Sequence, residues 1–272
     1  MRSRSTLLLV PGSVLLVLGF LLPAVVMLLA PPDAAPGDVF GRVGELLSDP
    51  VQLGVVTRTV VVALLTTTIC LVLGFPIAHL LASSRSRWAG VLLALAIFPL
   101  LLSNVVRTFG WLVVLGRRGV IGQLVTGLGL SEEPPQLLYT KLAIVLGLVQ
   151  LFLPLAIIPC YSAVAQLDPG LEDAARGLGA SRLRTLWTIS VPLSLPGVVV
   201  AATLVFAGSV TAYTTPYLLG GSRQRVLSTQ LYSYASDSLD WASASAVALI
   251  MTVIVLLASG LSSMAGRKGA TS

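Results

Sequence analysis

The chain has 272 residues, 56% of them hydrophobic and only 10% charged, with a mean hydropathy of +0.94. A soluble chain is about 25% charged, so this one lacks the polar surface of a soluble domain, and the same composition excludes disorder, a collagen repeat and a disulfide scaffold. The net charge of +6 comes from 17 basic against 11 acidic residues, scattered between long apolar runs with no basic helix or aromatic-interleaved patch, which gives no nucleic-acid partner. The chain reads as an all-α membrane protein with several spans.

A bilayer core of about 30 Å takes roughly 20 apolar residues as a helix. Six stretches carry no charged side chain: Leu7–Ala30, Thr59–Ala78, Ala89–Val106, Leu142–Tyr161, Gly197–Leu219 and Ala242–Gly266. None alternates as a barrel strand must. Six transmembrane helices are expected, at 7–30, 59–81, 89–111, 142–161, 197–219 and 242–264. The first run follows Arg2 and Arg4 and is longer than the roughly 7–15 apolar residues of a signal peptide, so a retained anchor is expected. Basic residues are densest in the short 83–88 connection, with Arg85 and Arg87; this favours a cytoplasmic placement for that connection and for both termini. Gly74 with Pro76, Phe98 with Pro99, and Pro154 with Pro159 are expected to bend or loosen their helices. In the last run Ala242, Ser243, Ala244, Ser245, Ala246 and Ala248 permit close helix packing. Cys70 and Cys160 lie in apolar runs and read as small packing residues.

The segment Gln166–Gly197 differs from the other connections. Asp168 is suited to an N-cap and Pro169 to the first helical position. Leu171, Ala174, Ala175 and Leu178 recur at helical spacing, Gly177 and Gly179 break that helix, and Ser181 can cap a second one that Pro192 and Pro196 end. Asp168, Glu172 and Asp173 balance Arg176, Arg182 and Arg184, whereas a lipid-binding patch would be mainly basic. The small residues at the bend, Ala174, Ala175, Gly177, Gly179 and Ala180, suit close approach by another protein. The segment reads as a docking element.

This loop resembles the EAA motif of inner-membrane permease subunits in binding-protein-dependent ABC importers: EAA, three residues, Gly, nine residues, then I-x-L-P. Here Asp173-Ala174-Ala175, Gly179 and Ile189-Ser190-Val191-Pro192 keep that spacing. Asp173 replaces Glu and Val191 replaces Leu, and neighbouring Glu172 is a second candidate for the acidic role. The stretches 98–130 and 210–221 and the pair Asp240-Trp241 resemble most the spermidine/putrescine-type permeases of the family. The resemblance implies a type I importer (MetI-like) fold, with residues 1–272 as one transmembrane permease domain and cytoplasmic coupling helices in the loop 166–195. It implies ATPase coupling through Glu172, Asp173, Ala174, Ala175, Gly179, Ala180, Ser181, Ile189 and Pro192. It implies a bacterial inner-membrane location with both termini in the cytoplasm. The implied partners are a second permease subunit, two ATP-binding cassette ATPase subunits, an extracytoplasmic substrate-binding protein and membrane lipid. ATP and Mg would be held by those ATPase subunits, and this chain would be a non-catalytic subunit with no cofactor or metal of its own. The implied cargo is a small polar solute, foremost a polyamine or related amine, with an opine, an amino-acid-like compound or an aminophosphonate as alternatives.

Polar side chains at membrane depth are costly unless they face a cavity, which makes Asn104, Arg107, Trp111, Gln150, Thr211, Tyr213 and Tyr217 the candidates for a translocation pathway. Snorkelling for Arg107 and an interfacial-belt position for Trp111 and the tyrosines compete with that role. No Asp or Glu lies within the six runs, although a cationic cargo would favour acids or aromatic faces. Glu132, Glu133, Asp237 and Asp240 lie in the connections, where they could receive a cation or simply be solvated, so selectivity is expected mainly in an external binding protein. A stand-alone secondary transporter would place acids or His at mid-membrane. The single histidine, His79, is near a run's end and is expected to have a surface or packing role. A membrane-embedded enzyme would need an acid or base that the runs lack, and the chain has no GxxxxGK[S/T] phosphate loop.

Overall fold

A computed structural model describes residues 11–29, 38–83, 89–129 and 131–269, and among these residues every regular element is helical. In chain order they are α1 (residues 11–29, loosened by a π-helical turn at Val17–Leu21), α2 (Asp38–Ser48), α3 (Pro50–Ser83), α4 (Ala89–Ile97, continued by a 3-10 turn at Phe98–Leu101), α5 (Asn104–Leu115), α6 (Val120–Gly127) and α7 (Lys141–Val164). Then follow α8 (Pro169–Gly177), α9 (Arg182–Thr185, continued by a π-helical turn at Leu186–Ser190 and a short turn at Val191–Leu193), α10 (Leu195–Thr211), α11 (Thr214–Gly220), α12 (Leu227–Tyr232) and α13 (Trp241–Gly269).

Five of the six expected spans appear, among the described residues, as three uninterrupted helices of spanning length and two bent pairs. The uninterrupted ones are Pro50–Ser83, Lys141–Val164 and Trp241–Met264; the bent pairs are Gly90–Leu101 with Asn104–Gly127, at 91°, and Arg182–Leu193 with Leu195–Thr211, at 77°. Of the first expected span, Leu7–Val10 and Ala30 lie outside the described residues, and the rest is helical.

Two spans are broken: the third, which Phe98 and Pro99 were expected to bend or loosen, and the fifth, which was expected to be continuous. The third is broken after Pro99, where Leu102 (ψ 141°) and Ser103 (ψ 130°) are extended before Asn104 starts α5. The fifth stops at Thr211, and Ala212 is extended (ψ 124°) before α11. Pro216 explains the second break, since its ring would clash with the Ala212 carbonyl in a continuous helix and its nitrogen cannot donate to it. Pro196 was expected to help end the second loop helix; it instead occupies the first turn of α10, where no N–H is required. Pro76, Pro154 and Pro159 lie inside α3 and α7 without ending them.

The described residues form two compact units. One comprises residues up to Val55 with Leu227–Val253, the other Val56–Val226 with Ile254 onward. In the first, the small-residue face of α13 is packed as expected: Ala244, Ala246, Ser243 and Ser245 are buried, and Ser245 Oγ donates to the Met27 carbonyl at 2.6 Å. Asp240 caps α13 by accepting from the Ser243 N–H at 3.0 Å.

The second unit is built round α7. Its core joins Val62, Cys70 and Phe75 of α3 to Ile144, Leu148, Ile157 and Cys160 of α7 and to Ala201 and Val205 of α10. Both cysteines are free and fully buried, as packing residues should be. Small residues let the helices approach: a Cβ at Gly74 would touch Ala156 and Ile157, and one at Gly208 would stand 2.5 Å from the Phe152 ring. Such close contact replaces the hydrophobic drive that lipid cannot supply between helices.

Candidate functional site

The loop after α7 forms as its caps dictate. Asp168 Oδ1 accepts from the Gly170 N–H at 2.9 Å and Pro169 opens α8. At the other end the Gly179 N–H donates to the Arg176 carbonyl at 2.9 Å and the Ala180 N–H to the Ala175 carbonyl at 3.0 Å. This pair of bonds is a Schellman closure, which needs a left-handed residue at Gly179; its φ is +86°. Ser181 Oγ then accepts from the Arg184 N–H at 3.3 Å and starts α9. The glycine that carries the spacing match is thus the residue that reverses the chain between two short helices.

The hairpin exposes two large apolar side chains at and just after its turn. Leu178 is 90% exposed and Leu183 69%; Asp173, Ala174, Ser181 and Pro192 are exposed as well, while Ala175, Ala180 and Ile189 are half-buried. Glu172 and Asp173, adjacent in sequence, take different environments. Asp173 points to solvent, and no ion pair forms on it among the described residues. Glu172 turns inward: its Oε1 accepts from His79 Nε2 at 2.7 Å and from Ser190 Oγ at 2.7 Å, and its Oε2 accepts from Arg176 at 3.3 Å. Its side chain is only 15% exposed, and that of His79 14%. A half-open cavity of about 510 Å³ opens beside this cluster, walled by Leu80, Arg182, Leu183 and Leu186. His79 therefore has a specific polar partner, beyond the packing or surface position expected of it.

Burial acts to raise the Glu172 pKa, but the hydrogen bonds from Ser190 and His79, with the charges of His79 and Arg176, outweigh it and hold the carboxyl below its ordinary value of 4.5. A group depressed on folding adds stability that is present above its unfolded pKa and is lost as pH falls through the folded one. The contribution of the Glu172 carboxylate to the anchoring of α8 is therefore expected to be present above pH 4.5 and to be lost as pH falls below it. A carboxyl-carbon NMR titration of Glu172 checks this, and a midpoint above 4.5 would contradict it.

Five of the seven expected pathway residues fall into two groups within the same unit. In the first, α5 meets α7 and α11: Trp111 Nε1 donates to Gln150 Oε1 at 3.1 Å, and Thr108 and Thr215, which the sequence did not single out, place their hydroxyls 3.4 Å apart. In the second, the rings of Tyr213 and Tyr217, one turn apart at the start of α11, stack at 5.1 Å just after the break that follows α10. Thr211, at that break, is exposed, and its hydroxyl donates back to the Ala207 and Gly208 carbonyls of its own helix. Asn104 and Arg107 are half-buried at the start of α5. Nε and Nη1 of Arg107 are buried with no hydrogen-bond partner among the described residues.

Residues 70–268 match the family described as "Binding-protein-dependent transport system inner membrane component". The spermidine/putrescine transport system permease protein PotB of Haemophilus influenzae is 31% identical over 211 residues, 78% of this chain and 74% of that protein. PotB of Escherichia coli is 31% identical over 209 residues, 77% and 76% of the two chains. The molybdenum transport system permease protein ModB of Azotobacter vinelandii is 33% identical over 196 residues, 71% and 84%. Among solved structures, a bacterial ABC transporter involved in the import of the acidic polysaccharide alginate superposes with a TM-score of 0.75 at 18% identity, covering 98% of this chain and 96% of that one. The inward-facing MetNI methionine ABC transporter superposes with a TM-score of 0.61 at 16% identity, over 81% and 99%. The helical fold and the loop with its spaced motif thus meet in one assignment: this chain belongs to the family of binding-protein-dependent transport system inner-membrane components, the permease subunits of ABC importers.

Proposed function

We propose that this ABC importer permease forms half of a translocation pathway for a polyamine or related amine and takes its energy from a partner ATPase through the α8–α9 hairpin. The observation that carries the coupling role is the hairpin itself, a capped, sharply reversed element with exposed Leu178 and Leu183 at its turn. Glu172, Asp173, Ala174, Ala175, Gly179, Ala180, Ser181, Ile189 and Pro192 make up this surface and its supports. In this reading the hairpin and both termini are cytoplasmic, residues 1–272 act as one permease domain, and ATP and Mg are bound by two ATPase subunits. A second permease completes the pathway, and an extracytoplasmic binding protein delivers the cargo. Asn104, Arg107, Trp111, Gln150, Thr211, Tyr213 and Tyr217 line the route, where the stacked tyrosines offer a cation an aromatic face.

The polyamine reading is supported by the PotB relatives, which match across about three quarters of each chain. A second cargo, an oxyanion, is favoured by a specific observation: Arg107 has two buried nitrogens with no hydrogen-bond partner among the described residues, in a chain whose apolar runs contain no acid, and ModB matches at similar identity. Uptake of labelled spermidine and of labelled molybdate by cells deleted for this chain, with and without its re-expression, separates them. Spermidine uptake lost and restored with the chain is the expected result. Unchanged spermidine uptake with loss of molybdate uptake overturns the amine reading in favour of the oxyanion.

A further inference from the structure

We infer that His79 and Ser190 are positioning residues for the docking hairpin, holding Glu172 inward so that a displacement of α8 is passed both to the C-terminal end of α3 and to the bend that opens α10. The inference rests on the coupling role proposed for the hairpin and adds the linkage that would transmit it.

Helix α8 has nine residues, too few to be stable alone in water, so its direction must come from contacts with the rest of the chain. Apolar burial does not supply them. Among residues 170–177 none is fully buried; Leu171 is 46% exposed, and only Glu172 and Ala175 are half-buried. The inward Glu172 carboxylate is the polar tether that remains. It is bonded on three sides, by His79 near the end of α3, by Ser190 at the end of the π-helical turn, and by Arg176 one turn along α8. Hydrogen bonds to an ionised acceptor are about twice as strong as neutral ones, and a site with so little solvent screens them weakly.

Ser190 gives the tether its second direction. Its side chain is fully buried, and its carbonyl accepts from the Ser194 N–H at 3.0 Å. Ser194 in turn is the residue at which the chain bends by 77° into α10. One carboxylate therefore ties α8 both to α3 and to the turn that leads from α9 into α10. With Glu172 committed inward, the acidic position facing a partner falls to exposed Asp173, which fits Asp at the first position of the motif.

The test uses the importer purified from native membranes through a tag on this chain, as wild type and as His79→Leu, His79→Gln and Ser190→Ala. Two quantities are read: hydrogen exchange of the amides of residues 171–178, and KM and kcat for ATP with the binding protein present. His79→Leu and Ser190→Ala are expected to speed amide exchange about tenfold, the change that loss of one hydrogen bond to a charged group produces. Both are expected to lower stimulated kcat with KM for ATP unchanged. His79→Gln, which keeps a donor at the same reach, is expected to restore both. Wild-type exchange and kcat in His79→Leu and Ser190→Ala would overturn the tether while leaving the coupling role intact. A wild-type chain that retains no ATPase would instead overturn the coupling role; the amide exchange would then still decide whether Glu172 holds α8. Should His79→Leu not accumulate, Ser190→Ala carries the same decision.

Discussion

Replacing Gly179 with Trp is expected to release the ATPase from this permease while its membrane helices stay folded. Two effects act at this position and can be separated. Gly179 closes α8 at φ +86°, a conformation that costs a residue with a Cβ about 1–2 kcal/mol. Gly179→Ala bears that strain alone, because a Cβ there meets nothing within 4 Å in this chain. Trp adds bulk that only a docked partner would encounter. Gly179→Ala should thus co-purify with most of its ATPase, and Gly179→Trp should lose it by tenfold or more, about 1.4 kcal/mol or greater. Far-UV circular dichroism and the melting temperature of the two variants should agree, since the strain is the same. Equal retention of ATPase by both variants would show that the partner does not approach this turn. A Trp variant that melts far below the Ala variant would show that the bulk is felt within the chain itself.

The hairpin was legible in the sequence because each of its signals is local: Asp168 before Pro169, glycines after the periodic Leu and Ala positions, Ser181 before α9. A single stretch of chain supplies all of them, and spacing alone carries them. The role of Glu172 was not legible. Its partners are 93 residues upstream, at His79, and 18 downstream, at Ser190, and the pattern of charges around it favours a solvated face as readily as an inward one. The breaks divide in the same way. Pro99 signalled the third, and Pro216, inside the expected fifth span, carried a signal for the other that a count of uncharged residues passes over. Pro76, Pro154 and Pro159 carry the same chemistry and leave their helices whole; neighbouring helices at the core of the unit, which the sequence does not display, hold them in place. Trp111 and Gln150 were each marked as polar at membrane depth, yet their bond to one another depends on the crossing of α5 and α7, which no periodicity encodes.

The second large effect is expected at Gly197, where the bend after the hairpin meets the core. Gly197 is buried, two residues into α10, and a Cβ built there would overlap the Ala163 Cβ and stand 2.7 Å from the Pro159 carbonyl oxygen. Neither obstacle can rotate away: one is a Cβ fixed to the α7 backbone, the other the backbone itself. At Gly208, farther along the same helix, the added atom would meet the Phe152 ring at 2.5 Å, the end of a side chain that can change its χ angles. Both substitutions to Ala overpack the same helix pair, for which about 1–3 kcal/mol is typical. The rigid site should fall at the upper end of that range and the yielding one at the lower. Melting followed by circular dichroism in one detergent should therefore rank wild type above Gly208→Ala and Gly208→Ala above Gly197→Ala, and Gly197→Leu should fail to give a folded chain. If Gly197→Ala melts with wild type, α10 can move away from α7 freely. A bend so loosely seated could not carry a displacement of the hairpin into the membrane, and the coupling route would have to run through α3 alone.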